Sequence, residues 1–262
     1  MTSSQPVTRS LGGADIQLET LGDGPPLLFL HGEDGTLFNR PLLEQLAQEY
    51  TVTVPVHPGW GESPRTGQFR TLDDIAYLYL GLLAEFDGPV PVVGVSLGAW
   101  LALEIATKST SRISSLALIS PVGIRTGDRT TRYYLDTYAS PAETVLAASY
   151  GDPARRPDLS GWSEDQFRQL ARANEAATYF VWEPYLHNPS LLYRLPLITV
   201  PTLVVTGDRD GIVLADDHVK TLTDALGGVT GAASISGCGH RVDEEDPNGV
   251  AEAVLSFVRR QP

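Results

Sequence analysis

The chain has 262 residues, with 19 Lys+Arg against 32 Asp+Glu (a formal net charge of −13), a single cysteine and 42% hydrophobic residues. Such an acidic balance excludes nucleic acid and anionic membranes as partners, because both need clustered Lys and Arg, and one cysteine excludes an intrachain disulfide or a thiolate zinc cluster. Met1 to Ser10 contain no apolar signal core and no apolar run approaches the ~18 residues of a membrane span, so the composition predicts a soluble, cytoplasmic protein acting on a small molecule.

In chain order, the stretch up to Thr20 reads as a hairpin turned at Gly12-Gly13. Short apolar runs follow at Leu27–Leu30, Thr51–Val56, Val90–Val95, Ile113–Ile119, Pro201–Thr206 and Ala232–Ser236. Near-continuous apolar runs of this length fit strands buried on both faces of a parallel sheet. Between them, Leu37–Gln48, Leu72–Phe86, Leu97–Lys108, Leu214–Leu226 and Gly249–Arg259 carry apolar residues at helical spacing. Thr71 and Asp74 form a capping-box-like start. The alternation predicts an α/β fold, with a mostly parallel central sheet flanked by helices. From Pro121 to Pro196 no strand candidate appears. Ser140-Pro141-Ala142-Glu143 and Ser163-Glu164-Asp165-Gln166 each read as a helix start there, and the segment holds 11 of the 21 aromatic residues. It reads as a helical insertion after the sixth strand. The expected organisation is a core of residues 1–120 and 197–262 with a lid of residues 121–196 over an apolar pocket.

Gly94-Val95-Ser96-Leu97-Gly98 joins an apolar strand to a helix. This G-x-S-x-G spacing, between strand and helix, places Ser96 on a strained turn at the strand tip, where a Cβ at either glycine would collide with a neighbouring element. A serine nucleophile needs a base and the base an orienting carboxylate. His240 lies in Gly237-Cys238-Gly239-His240 after the last strand, and Asp208 and Asp210 follow the strand ending at Thr206. Loops at these places share the carboxyl edge of the sheet with Ser96.

With those residues the chain resembles the α/β-hydrolase fold superfamily, of the lid-bearing serine hydrolase type. His31-Gly32 resembles its oxyanion loop, Pro58-Gly59-Trp60-Gly61-Glu62-Ser63 its P-G-x-G-x-S turn, and Gly207 to Val213 its acid loop. The resemblance implies Ser96, Asp210 and His240 as a catalytic triad, with Asp208 as a turn residue. It also implies an oxyanion hole made by the backbone amides of Glu33 and Leu97, and a bracing role for His31. These roles call for no metal and no cofactor. Two carboxylates, Glu33 and Asp34, are unusual beside an oxyanion loop. They are expected to cap the following helix, or else one faces the pocket and selects against anionic substrates. Trp162, Tyr179, Trp182, Tyr185 and Val213, with Asp34, are the expected substrate contacts. Cys238 and Trp100 read as packing residues, and His57 as a loop histidine.

The reaction implied is hydrolysis of an ester, thioester or amide of a small, largely apolar molecule through an acyl-enzyme on Ser96. Two alternatives use the same pocket: carbon–carbon bond hydrolysis or a non-hydrolytic cyclase or lyase step, and a receptor-like ligand-binding protein. For the first, arginines of the insertion (Arg125, Arg129, Arg132, Arg155, Arg156, Arg168, Arg172, Arg194) are candidates to hold a substrate carboxylate.

Overall fold

A computed structural model describes residues 6–127, 130–228 and 230–261. Gly12 and Gly13 have φ of 54° and 82° and turn β1 (Val7–Leu11) back along β2 (Ala14–Leu21). The remaining strands are β3 (Pro26–Leu30), β4 (Thr51–Pro55), β5 (Val90–Val95), β6 (Ile113–Ile119), β7 (Thr202–Gly207) and β8 (Thr230–Ile235). They form one sheet in the order β1-β2-β4-β3-β5-β6-β7-β8. Pairing is antiparallel where β2 meets β1 and β4, and parallel from β4 to β8. The predicted mostly parallel α/β architecture is therefore the one formed.

Alternation along each strand divides the core. Leu27 and Phe29 of β3, Val93 and Val95 of β5, and Ala117 and Ile119 of β6 pack with α1 (Arg40–Leu46) and α9 (Pro247–Val258). Leu28, Leu30, Val92, Leu116 and Leu118 point the other way, to α2 (Leu72–Ala84) and α3 (Leu97–Lys108). Full burial of each such side chain contributes roughly 1.5–3 kcal/mol. Thr71 and Asp74 form the reciprocal capping box of α2. α1 is shorter than its apolar period predicts: Pro41 sits in its first turn and Asn39 is its N-cap residue. Glu33 and Asp34 thus lie too far upstream to cap it.

Between β6 and β7 the described residues form α4 (Ala142–Ser149), α5 (Glu164–Val181), α6 (Leu191–Arg194) and two single 3-10 turns, with no strand. Ser163 and Gln166 make the expected capping box on α5. The start of α4 differs, because Pro141 itself takes the N-cap place and no side chain caps the helix. The base of the segment is pinned to α3. Gly123 N–H donates to Leu186 O (3.0 Å) and Asn188 N–H to Gly123 O (2.9 Å). Asn188 Nδ2 and Trp100 Nε1 both donate to Oε1 of buried Glu104, at 2.7 and 3.0 Å. Hydrogen bonds to a buried charge contribute about 1.5–3 kcal/mol each. After β7 come α7 (His218–Ala225), α8 (Val242–Glu245) and α9. α7 begins four residues later than its sequence period, since the loop that carries Asp210 continues through Asp217.

Candidate active site

The tip of β5 carries the most strained residue of the site. Ser96 has φ 48° and ψ −108°, a conformation outside the populated wells of L-residues that persists only when its surroundings enforce it. Here Ser96 N–H donates to Ile119 O (2.8 Å) and Ser96 O accepts from Trp100 N–H (3.1 Å). Both flanking glycines are required by space. A Cβ on Gly94 would lie 2.5 Å from Gly98 O, and one on Gly98 would run into Leu30 O. The turn therefore presses the start of α3 onto β3 and leaves the Ser96 hydroxyl at the carboxyl edge of the sheet.

The loop after β8 brings His240 to that hydroxyl. Ser96 Oγ and His240 Nε2 are 2.9 Å apart, and His240 Nδ1 and Asp210 Oδ2 are 2.8 Å apart. An ionised carboxylate only accepts, so Nδ1 carries the proton and Nε2 is left as the acceptor for the Ser96 hydroxyl. Asp210 is fixed by its other oxygen, which accepts from Ile212 N–H (2.9 Å) and Val213 N–H (3.0 Å). Burial would raise the Asp210 carboxyl, but the His240 ring and these amides outweigh it and hold the pKa below the usual value. For His240, burial lowers the pKa, and the Asp210 charge and hydrogen bond with the Glu33 charge overcome it, so the net shift is upward. Asp208 does not reach the histidine. It accepts from Gly237 N–H (2.7 Å) and Ser236 Oγ–H (3.0 Å), the turn role expected of it.

Beside Ser96 the loop after β3 is braced by two buried histidines. His31 Nδ1 donates to Gly32 O (2.8 Å) and its Nε2 accepts from His57 N–H (3.0 Å). Burial pushes His31 down to about 4 and His57 also downward, so both are neutral braces. Trp60 Nε1 donates to Glu33 O at 2.8 Å. The Glu33 carboxylate is close enough to its own backbone amide and to the Ser96 hydroxyl for both to act on it.

Glu33 and Asp34 do not cap a helix. They face Arg241, the residue after His240: Asp34 pairs closely with it, Glu244 accepts from it at 3.1 Å, and Glu33 lies at 3.3 Å. Burial pushes Glu244 up to about 8 and Asp243 up to about 6. Tyr150 donates to Glu244 at 2.6 Å and Asn39 to Asp243 at 2.8 Å.

A cavity of about 610 Å3 opens over Ser96 and His240, within the ordinary range for a small-molecule site. Leu97, Val122, Val145, Val181, Leu186 and Ile212 give it an apolar floor, and Glu33, Asp34 and Arg241 edge it. The expected aromatic contacts are elsewhere. Trp162 stacks on Phe38 (5.3 Å), and Tyr179 lies under the Arg65 guanidinium (4.0 Å). Trp182 is exposed, and Tyr185 is committed to Thr137 and Leu135 O. Val213 lies behind Asp210. None of the five lines this cavity; Tyr138 does. Among the described residues none of the insertion's arginines lines it either, and Arg129 lies outside the described residues. Sequence reasoning passed over Arg241, whose signal was its place directly after His240. Cys238 and Trp100 are buried as expected. Among the described residues no three His, Cys, Asp or Glu side chains converge to hold a metal ion, and no helix is long and apolar enough to cross a membrane.

Comparison with known proteins places the chain in a family. The chain is 26% identical over 267 residues to the 2-hydroxy-6-oxo-6-(2'-aminophenyl)hexa-2,4-dienoic acid hydrolase of Metapseudomonas resinovorans, covering 95% of this chain and 89% of that protein. It is 29% identical over 219 residues to the pimeloyl-[acyl-carrier protein] methyl ester esterase of Nitrosomonas europaea, covering 77% and 84%. A solved meta-cleavage product hydrolase from Pseudomonas fluorescens IP01 superposes with a TM-score of 0.78 at 17% identity, over 97% of each chain, a likeness of fold alone. The sequence pattern described as the alpha/beta hydrolase family matches residues 27–253, and the chain belongs to that family.

Proposed function

We propose that the protein is a serine hydrolase that cleaves a small ester, or a thioester or amide, through an acyl-enzyme on Ser96. The observation that carries this reading is the hydrogen-bonded run Ser96 Oγ–His240 Nε2 and His240 Nδ1–Asp210 Oδ2, at 2.9 and 2.8 Å, under a largely apolar cavity. Ser96 Oγ attacks the substrate carbonyl while His240 Nε2 takes its proton. The Leu97 and Glu33 amides receive the developing oxyanion. His240 then gives the proton to the leaving alkoxide, thiolate or amine. Water, deprotonated by the same nitrogen, attacks the acyl carbonyl and releases the acid. Asp210 keeps the imidazole in the required tautomer and stabilises its charged form. The segment of residues 121–196 acts as a lid, since α4 and α5 supply Val145, Ala177 and Val181 to the cavity wall.

The ester reading is favoured over hydrolysis of a carboxylated carbon–carbon substrate because, among the described residues, the one arginine lining the cavity is Arg241, already surrounded by Asp34, Glu33 and Glu244. The test is Ser96→Ala. The wild-type protein should turn over short p-nitrophenyl esters and be labelled by a fluorophosphonate, and the variant should do neither. Labelling that persists in Ser96→Ala refutes the assignment of the nucleophile. Labelling without turnover of any simple ester favours the carbon–carbon or non-hydrolytic reading. A ligand bound and released unchanged favours a receptor.

A further inference from the structure

The charge around the cavity is mainly negative. Among the described residues, Glu33, Asp34 and Glu175 border it together with one guanidinium, that of Arg241. That guanidinium is 20% exposed and is surrounded by Asp34, Glu244 and Glu33, so it offers little to a carboxylate arriving with substrate. Glu33 is different. Its side chain is 29% exposed and borders the cavity, lying 3.3 Å from Arg241 and within reach of the Ser96 hydroxyl. Burial would neutralise it, but Arg241 and His240 outweigh that effect and keep it ionised. Tyr138 lines the same cavity and is close enough for its hydroxyl to feel the Glu33 charge. Its ring is packed edge-on with Trp182 (5.8 Å) and Tyr185 (5.9 Å) and is itself 41% exposed. A carboxylate held charged and an aromatic ring bordering one cavity are the two groups that hold a substituted ammonium.

We propose that this cavity selects esters carrying an ammonium-type cation and rejects anionic ones, with the Glu33 carboxylate and the Tyr138 ring as the specificity-determining groups. The inference rests on the serine hydrolase reading above and names the substrate class of the same site. An anionic substituent entering beside Glu33 meets a like charge that Arg241 offsets only in part, in a partly desolvated place, which Coulomb's law makes unfavourable by about tenfold in binding.

The experiment compares matched esters. On the acyl side these are the p-nitrophenyl esters of 4-(trimethylammonio)butanoate, of its neutral isostere 5,5-dimethylhexanoate, and of monoanionic glutarate. On the alcohol side they are acetylthiocholine and its neutral isostere 3,3-dimethylbutyl thioacetate. The cationic ester is expected to exceed its isostere about tenfold in kcat/KM in at least one series, and the glutarate ester to fall about tenfold below the isostere. The cationic preference should shrink as salt is raised from about 0.02 to about 0.5 M. In Glu33→Gln and in Tyr138→Leu the cation-to-isostere ratio should fall towards one, whatever the absolute rates. A ratio at or below one in both series, or a ratio unchanged in Glu33→Gln, overturns the proposal. If no ester is turned over, the hydrolase reading has failed, and the charge preference is decided by binding. Titration of Ser96→Ala with choline and with 3,3-dimethylbutanol then supports the proposal if choline binds tighter and overturns it if the affinities are equal.

Discussion

Replacing Asp210 by Asn should cost far more activity than one lost charge on a surface would, and the reason lies in its second oxygen. Oδ1 accepts from the Ile212 and Val213 amides, while Oδ2 faces His240 Nδ1 at 2.8 Å. An asparagine must keep its oxygen toward the two amides, because an NH2 group there would oppose two donors. Its NH2 then points at His240 Nδ1 and forces that nitrogen to accept. The proton moves to Nε2, where it blocks transfer from Ser96. The imidazolium formed on attack also loses its counter-charge. With charge centres about 4 Å apart at an effective dielectric of about 20, that loss is on the order of 4 kcal/mol, or roughly three decades in rate. Steady-state kcat/KM on a neutral p-nitrophenyl ester, beside the rate of fluorophosphonate labelling, measures it. Asp208→Asn is the control, since Asp208 holds only Gly237 N–H and Ser236 Oγ, and it should stay within about threefold of wild type. A variant Asp210→Asn that keeps a tenth of the activity, or an Asp208→Asn loss of the same size, refutes the reasoning.

Because His240 is raised above 6.5, and the base must be neutral, the acid limb of the kcat/KM profile should lie above pH 6.5; Glu33→Gln removes one of the charges that raises it and should move the limb to lower pH. Gly98→Ala drives a Cβ into Leu30 O and should destabilise by about 3 kcal/mol in urea unfolding, whereas Gly161→Ala, with nothing within 4 Å, should leave stability unchanged. Burial pushes His218 down to about 4, between Tyr133 OH (3.0 Å) and Pro121 O (2.9 Å). Its folded pKa lies below the unfolded value, so stability is full above pH 6.5 and falls as pH drops toward 4, by about 3 kcal/mol. Melting curves of His218→Gln should start lower at pH 7 and show a shallower acid slope.

Legibility from sequence followed the range of the physics involved. Ser96 was readable because the elbow is a local steric problem: Gly94 and Gly98 are demanded by contacts that a strand-turn-helix always makes. The capping boxes at Thr71 and Ser163 were readable because each closes on itself within four residues. The choice of Asp210 over Asp208 needed the resemblance, since both follow β7 and only the turn of the loop decides which meets His240. Arg241 escaped because two of its partners, Glu33 and Asp34, come from the distant loop after β3, and only Glu244 of α8 is near it in sequence.

The pocket wall shows why aromatic content misled. Asn174, Ala177, Thr178 and Val181 of α5 line the cavity, at the three- and four-residue steps of one helix face. Tyr179 is one residue from that face, about 100° round the helix, and its ring lies under Arg65 instead. A cavity exists where side chains are too small to fill the gap between residues 121–196 and the edge of the sheet, so small and medium residues line its floor and bulky ones brace it from outside. Trp162 on Phe38 and Tyr185 on Thr137 brace in this way. The net charge of −13 takes its functional meaning from the same distinction. Some carboxylates sit on solvated helix faces, as in the exposed Glu164 and Asp165 pairs with Arg168. Glu33 is set apart by position, half-enclosed beside the Ser96–His240 pair, so a single one of the 32 acidic residues can decide which substrates that site accepts.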